Sequence, residues 1–361
     1  MAENSATILI PDISGFTEFM TTTELSHSSH AINILIDAIL KAVDEEYEVS
    51  EIEGDAVLLI KKGAAPSQKQ IVDTCLKIFN SFHVQRMWMQ QHAICPCGAC
   101  LGIINLTLKF VVHHGPVAEI KVGRFIKQSG PEMIVAHRLL KNSIANNEYL
   151  LITEKLLQQL PDEVEAVEME WTDSSEEYAS IGKIPYRFTL LNEARKKIPE
   201  PPKPNNQYHT DNTSFLKMTV ADNFRDVYMV VMNIPGRPAW FPGLQNVEQD
   251  IPQVFIGSIH RCKFENYNTV VSPIRMTLTE EGIEYAESCR IAEMDISLVY
   301  EFVFKKINET TSSFACRLLN ACDAPIPEKV HGALFDQMKK MSENLKEYCE
   351  QMKESFFEPS F

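Results

Sequence analysis

Apolar positions in the first half of the chain switch repeatedly between the spacings of strands and helices. Thr7 to Pro11 is a short apolar run and predicts a buried strand. Ala31, Ile32, Leu35, Ile36, Ile39, Leu40 and Val43 recur at helical spacing and predict a helix from Ser28 to Glu45. Tyr47 to Glu53 and Ala56 to Ile60 are β-rich runs around Gly54-Asp55, a hairpin pattern. Ile71, Cys75, Ile78, Phe79 and Phe82 share one face of a second helix. A strand over Leu106 to Val112, a turn at Gly115-Pro116 and a strand over Val117 to Val122 follow. A helix over Pro131 to Asn142, a strand over Tyr149 to Ile152 and a helix over Thr153 to Leu160 come next, with further strands before Asn192. This order implies an α/β sandwich with antiparallel pairing and excludes a doubly wound sheet.

The second half reads differently. A strand near Phe215 to Val220 and a helix near Asp222 to Val230 precede β-rich runs over 253–264, 269–279, 284–292, 296–306 and 312–319. Val330, Leu334, Met338, Met341, Leu345 and Tyr348 then keep helical spacing through Glu328 to Met352. A curved antiparallel sheet gripping one long final helix closes such an order.

Between the halves, Lys196 to Asn206 contains four prolines and no apolar periodicity, the pattern of a stiff solvated linker. The expected division is a domain over 1–195, a Pro-rich linker over 196–207 and a domain over 208–361. The chain has 361 residues, 45% hydrophobic and 23% charged, which excludes wholesale disorder. Its formal charge of −15 disfavours nucleic acid and anionic membranes as partners, since both require clustered Lys and Arg. No apolar run reaches the roughly 20 residues of a membrane span, and the first residues lack the basic start of a signal peptide. The nine cysteines then read as reduced thiols or metal ligands in a cytoplasmic protein.

Asp12 ends the first strand, directly before a Gly-containing turn, and Asp55 sits in the hairpin turn. Paired side by side, the two carboxylates make a hard-oxygen site for Mg²⁺ or Mn²⁺. Asp also serves turns with no metal at all. His92, Cys95, Cys97 and Cys100 place an imidazole and three thiols within nine residues, enough for a tetrahedral Zn²⁺ site. A redox-sensitive loop, or small buried side chains, are the alternatives. Trp240, Phe241, Met338 and Met341 are candidates to line an apolar cavity, or plain core.

Four segments resemble class III nucleotidyl cyclases in the right order, across most of residues 5–192. They are Asp12-Ile13-Ser14-Gly15-Phe16-Thr17, Gly54-Asp55, the His-x-Gly segment from His113 to Gly123, and Gly130 to Leu139. The resemblance implies a ferredoxin-like cyclase fold, a nucleoside triphosphate ligand, and a head-to-tail homodimer with sites at the interface. It implies Asp12 and Asp55 as metal ligands, assisted by the Ile13 carbonyl. It implies Glu51 as a guanylate-type base-selecting residue and Lys127 near the second base-selecting position. It implies Arg138 as the group offsetting phosphoryl charge, and Lys183 as a late phosphate-binding lysine. One departure stands out: Ile134 occupies the position of the transition-state Asn, and its side chain donates nothing. His113 reads as a strand-end packing residue.

The second half resembles the START-like helix-grip family through its layout and the loop Asn233 to Leu244, over about 140 residues. That family implies a deep apolar cavity for a hydrophobic small molecule. The expected protein is therefore α+β: a nucleotide- and metal-binding cyclase homologue, weak or degenerate as an enzyme, with a START-like regulator. The alternative is a non-enzymatic binding or signalling scaffold.

Overall fold

Every residue of the first strand, β1 (Ser5–Ser14), is buried beyond its first, because neighbours pair along both of its edges. A strand covered on both faces needs an unbroken apolar run, and Ile8-Leu9-Ile10 supplies it. The computed structural model describes residues 5–23, 25–95, 97–122, 125–160, 169–202, 214–249, 254–321 and 326–357.

The chain continues through α1 (Phe16–Thr22), α2 (Leu25–Ala42), β2 (Glu48–Glu53), β3 (Ala56–Lys62), α3 (Gln68–His92), α4 (Gly98–Gly102), β4 (Thr107–Pro116), β5 (Ala118–Val122), β6 (Phe125–Ser129) and α5 (Pro131–Leu139). It then forms β7 (Tyr149–Thr153), α6 (Glu154–Leu157), β8 (Thr172–Tyr178), β9 (Gly182–Leu190) and α7 (Asn192–Lys196). The sheet order is β2-β3-β1-β4-β7-β9-β8, antiparallel except for the β4–β7 pair, while β5 and β6 form a separate ribbon. The antiparallel expectation therefore fits all but one pairing of this sheet. Gly115-Pro116, expected as a turn, instead ends β4.

Side-chain alternation assigns the two faces of this sheet. Leu9 and Ile13 of β1 join the core built by α2 and α3, where Ile71, Cys75, Ile78, Phe79 and Phe82 are fully buried. Ala6, Ile8 and Ile10 face the other way, onto Met133 and Ala136 of α5. Asp12 shares that parity and stands on the α5 side. Pro11 has no amide donor, and recorded pairing of β1 with β3 lapses between Leu9↔Leu59 and Asp12↔Ala56. The Ile13 amide then donates to the Asp55 carbonyl at 3.1 Å and ties the hairpin turn to β1. Gly54 takes φ +64°, where a side chain would be strained.

Contacts divide the chain into Met1–Gln90 with Cys97–Pro201, and Gln91–Pro96 with Pro202–Phe361. The linker expected over 196–207 is described as far as 202, and its remainder lies outside the described residues, which resume at 214. The second unit contains β10 (Leu216–Val220), α8 (Phe224–Met232), β11 (Leu244–Gln249), β12 (His260–Phe264), β13 (Asn268–Leu278), β14 (Gly282–Ile291), β15 (Ile296–Asn308), β16 (Thr311–Asn320) and α9 (Glu328–Phe357). All seven strands are antiparallel, in the order β10-β16-β15-β14-β13-β12-β11. Helix α9 is fixed by Gln337, bonded to the Tyr267 hydroxyl and the Pro242 carbonyl, and by Asn344, bonded to the Trp240 carbonyl.

Of the four candidate cavity residues in this unit, three are buried and one lines a small cavity. Trp240, Met338 and Met341 are buried core, and Phe241 lines a cavity of only about 20 Å³. That is room for about one water molecule. Arg237 and Glu287, each 3% exposed, form a bidentate pair there at 2.7 Å, and Arg237 also donates to the Val231 carbonyl. Burial opposes the Arg237 charge, but Glu287 outweighs it and holds the guanidinium above its usual range. Among the described residues, no helix is long and apolar enough to cross a membrane.

Candidate functional site

Asp12 and Asp55 meet where the hairpin turn crosses the end of β1. Their carboxyl groups share a hydrogen bond, and burial, then the Asp12 charge, pushes Asp55 up to about 6. Two hard-oxygen donors forced together in this way fit a small hard cation. A lysine already meets part of that demand. Lys109 lies opposite Asp12 in the β1–β4 register, and its Nζ sits 3.1 Å from Asp12 Oδ2 and 3.2 Å from the Leu140 carbonyl.

A cleft of about 460 Å³ opens on the same unit. Glu51 and Glu53 reach it from β2, Lys127 from the β5–β6 ribbon, and Ile134, His137 and Arg138 from α5. Ile134 is 54% exposed and presents an apolar surface to the cleft. Lys127 Nζ pairs with Glu51 at 2.7 Å and Glu53 at 3.6 Å, and the Glu51 bond raises its pKa above the usual lysine range. His137 approaches Glu53 at 3.7 Å. Asp12 and Asp55 do not line this cleft, and neither does Lys183. Lys183 is exposed at the start of β9, opposite Glu177.

The His-x-Gly segment has a packing role. His113 is buried between Glu132 at 2.5 Å and the Thr153 hydroxyl at 2.7 Å. Lys155 bonds the other Glu132 oxygen at 2.5 Å. Burial lowers the His113 pKa despite Glu132. A side chain at Gly115 would come within 2.8 Å of Glu132 Cγ, so glycine there lets Glu132 reach His113.

The thiol cluster differs from its expected membership. The histidine beside Cys97 and Cys100 is His27, in the first turn of α2: its Nδ1 is 3.1 Å from Cys97 Sγ and 3.9 Å from Cys100 Sγ. His92 instead ends α3 within the short segment that groups with the second unit, as does Cys95. No local pattern marks His27, which lies 70 residues from Cys97. Lys109 was equally unmarked, apart from being a charge inside the buried run from Leu108 to Val112.

Fold and site together define an α+β protein whose first unit carries a partly buried carboxylate pair and a cleft of mixed charge. A family model described as a protein of unknown function (DUF2652) matches residues 32–149. The uncharacterized protein Rv2561/Rv2562 of Mycobacterium tuberculosis is 30% identical over 157 residues, which cover 44% of this chain and 72% of that protein. The chain belongs to the family of that mycobacterial protein. Among solved structures, a bacterial light-regulated adenylyl cyclase matches with a TM-score of 0.40 at 14% identity, over 53% of this chain and 52% of that one. The guanylyl cyclase Cya2 matches at 0.36 and 15%, over 53% and 94% of the two chains. The adenylyl cyclase CyaB of P. aeruginosa matches at 0.36 and 17%, over 52% and 93%. The chain thus spans about half the length of the light-regulated cyclase.

Proposed function

We propose that the first unit binds a nucleoside triphosphate together with Mg²⁺ or Mn²⁺, as a nucleotidyl cyclase homologue that has lost much of its catalytic rate. One observation carries this reading. Glu51, Lys127, Ile134 and Arg138, positions taken from three separate sequence segments, converge on one cleft. In the proposed complex Glu51 and Lys127 meet the base, with Glu51 accepting from guanine N–H groups, and Arg138 faces the phosphates. A divalent cation held by Asp12 and Asp55 would offset negative charge on phosphate oxygens. Ile134 supplies no hydrogen bond where charge develops, and loss of one such donor costs about two to three orders of magnitude in rate.

The proposed active form is a homodimer. Asp12 and Asp55 do not line their own chain's cleft. A second copy of this chain presents its carboxylate pair to that cleft, and Lys183 reaches the site across the same junction. The second unit is read as a START-like helix-grip module from its strand order and the long α9. A hydrophobic small molecule is the ligand proposed for it.

The test is binding and turnover of ATP and GTP with Mn²⁺ or Mg²⁺, products resolved by mass. Asp55→Ala and Arg138→Ala are measured alone and mixed. Cyclic product lost in each variant and partly restored on mixing supports the reading. Nucleotide binding without product supports the scaffold alternative. Absence of nucleotide binding in the unsubstituted chain overturns the proposed reading.

A further inference from the structure

We infer that a Zn²⁺ ion binds His27, Cys97 and Cys100, with a water molecule completing the tetrahedron, at a site separate from the proposed nucleotide site. The Nδ1 and two Sγ atoms of these three residues lie within 4.8 Å of one another. A tetrahedral zinc with bonds of about 2.3 Å to sulfur and about 2.0–2.1 Å to nitrogen holds N and S about 3.6 Å apart. The two N–S distances, 3.1 and 3.9 Å, bracket that value. Cys97 and Cys100 carry the C-x₂-C spacing of zinc knuckles. Three protein ligands leave the fourth tetrahedral position to water.

The local backbone orients the site: the Cys100 amide donates to Cys97 Sγ at 3.4 Å and fixes where that sulfur points. Cys97 and Cys100 are also half-buried, open enough to exchange a proton for a metal. Cys75, Cys262, Cys289, Cys316 and Cys349 form the contrast: each is buried, and burial pushes each thiol upward, so these are packing residues. Binding at the cluster releases one proton per thiol as each Sγ becomes a ligand. The ion would fasten the first turn of α2 to α4. Helix α4 lies against α1, where Gly102 leaves room for the Phe19 ring, so the metal braces the helices that follow Asp12.

The full chain, purified without chelator, is analysed for metal content and then titrated with Co²⁺ after zinc removal. The expected result is about one zinc per chain, with thiolate-to-cobalt charge-transfer and intense tetrahedral d–d bands. His27→Ala, Cys97→Ser and Cys100→Ser each weaken cobalt binding by at least about tenfold, whereas His92→Ala leaves it unchanged. The charge-transfer intensity corresponds to two thiolates and falls to one in either cysteine variant. Zinc-dependent protection of Cys97 and Cys100 from alkylation, read by peptide mass on the unsubstituted chain, gives the same answer if a variant fails to fold. No cobalt spectrum, a Cys97–Cys100 disulfide in place of metal, or a spectrum that His27→Ala leaves intact overturns the assignment.

Discussion

Replacing Lys109 with Met removes the cation from the carboxylate pair and keeps the length of the side chain. In the native chain a divalent ion entering between Asp12 and Asp55 must displace Lys109 or accept it as a neighbour. Two unit charges about 4 Å apart interact by about 1 kcal/mol in water and about 4 kcal/mol at an effective dielectric near 20. The Asp12 and Lys109 side chains are 10% and 19% exposed, which places the effect between these limits. About 2 kcal/mol corresponds to roughly 30-fold in affinity. Lys109→Met is therefore expected to bind Mn²⁺ about 30-fold more tightly, read from the loss of the free-ion resonance signal during titration. Without metal the variant is expected to melt earlier, because Asp12 then faces Asp55 with no counter-charge. Saturating Mn²⁺ closes that gap by binding only the folded chain. Equal Mn²⁺ affinity in the two proteins would refute the reasoning, as would tighter binding that survives Asp55→Ala.

Other expectations follow from the same geometry. Ile134→Asn adds a donor at an exposed position of the cleft; cyclic product measured by mass should rise by about 100-fold, with stability changed by less than about 0.5 kcal/mol. Glu51→Ala should weaken guanine nucleotide binding about tenfold or more and spare adenine nucleotides, checked by fluorescent-nucleotide titration. Arg237→Ala strands Glu287 in the second unit and should cost about 3–5 kcal/mol, read as an early melting transition. Burial lowers the pKa values of His83 and His113, although Glu148 and Glu132 resist, so each ring is neutral in the fold. Their contribution is full above the unfolded value of about 6.5 and fades as pH falls toward the folded values. Melting temperature should therefore fall below about pH 6.5, and His113→Asn should flatten that slope.

What the sequence displays is periodicity, and most elements with a strong period appear within a few residues of their expected ends. The hairpin around Gly54, the helix carrying Ile71 to Phe82 and the final helix all rest on uninterrupted local patterns. β8, Thr172–Tyr178, carries three carboxylates and two serines, so no apolar alternation announced it. β11 follows the Pro- and Gly-rich loop and has only Leu244 buried. The candidate positions Asp12, Asp55, Glu51 and Arg138 were read from contiguous motifs, and the fold brings them together in two groups, Asp12 with Asp55 and Glu51 with Arg138. The site was illegible where the contact depends on the fold. His92 is the nearest histidine to the thiols in sequence, yet His27 is the one the packing of α2 and α4 brings beside Cys97 and Cys100. Lys109 becomes Asp12's partner only through the β1–β4 register, which no local spacing specifies.

Charge placement argues for binding ahead of turnover in the proposed site. The cleft holds Lys127, Arg138 and Lys141 against Glu51 and Glu53, and Lys127 is already paired with Glu51. The exposed end of that pair is worth at most about 1 kcal/mol, so a base that satisfies both partners opens it at small cost. The phosphates are harder to serve. Arg138 and Lys141 offset only part of a triphosphate, and the remainder falls to a cation at Asp12 and Asp55. Lys109 competes for that position with a single charge that is tethered to β4 and cannot follow the phosphates as bonding changes. A site so arranged tolerates a bound nucleotide while withholding the mobile charge and the Asn-type donor that the transition state requires. Lys109 and Ile134 therefore act on different parts of one deficit. Lys109→Met should move metal affinity, Ile134→Asn should move turnover, and the double variant should exceed either alone.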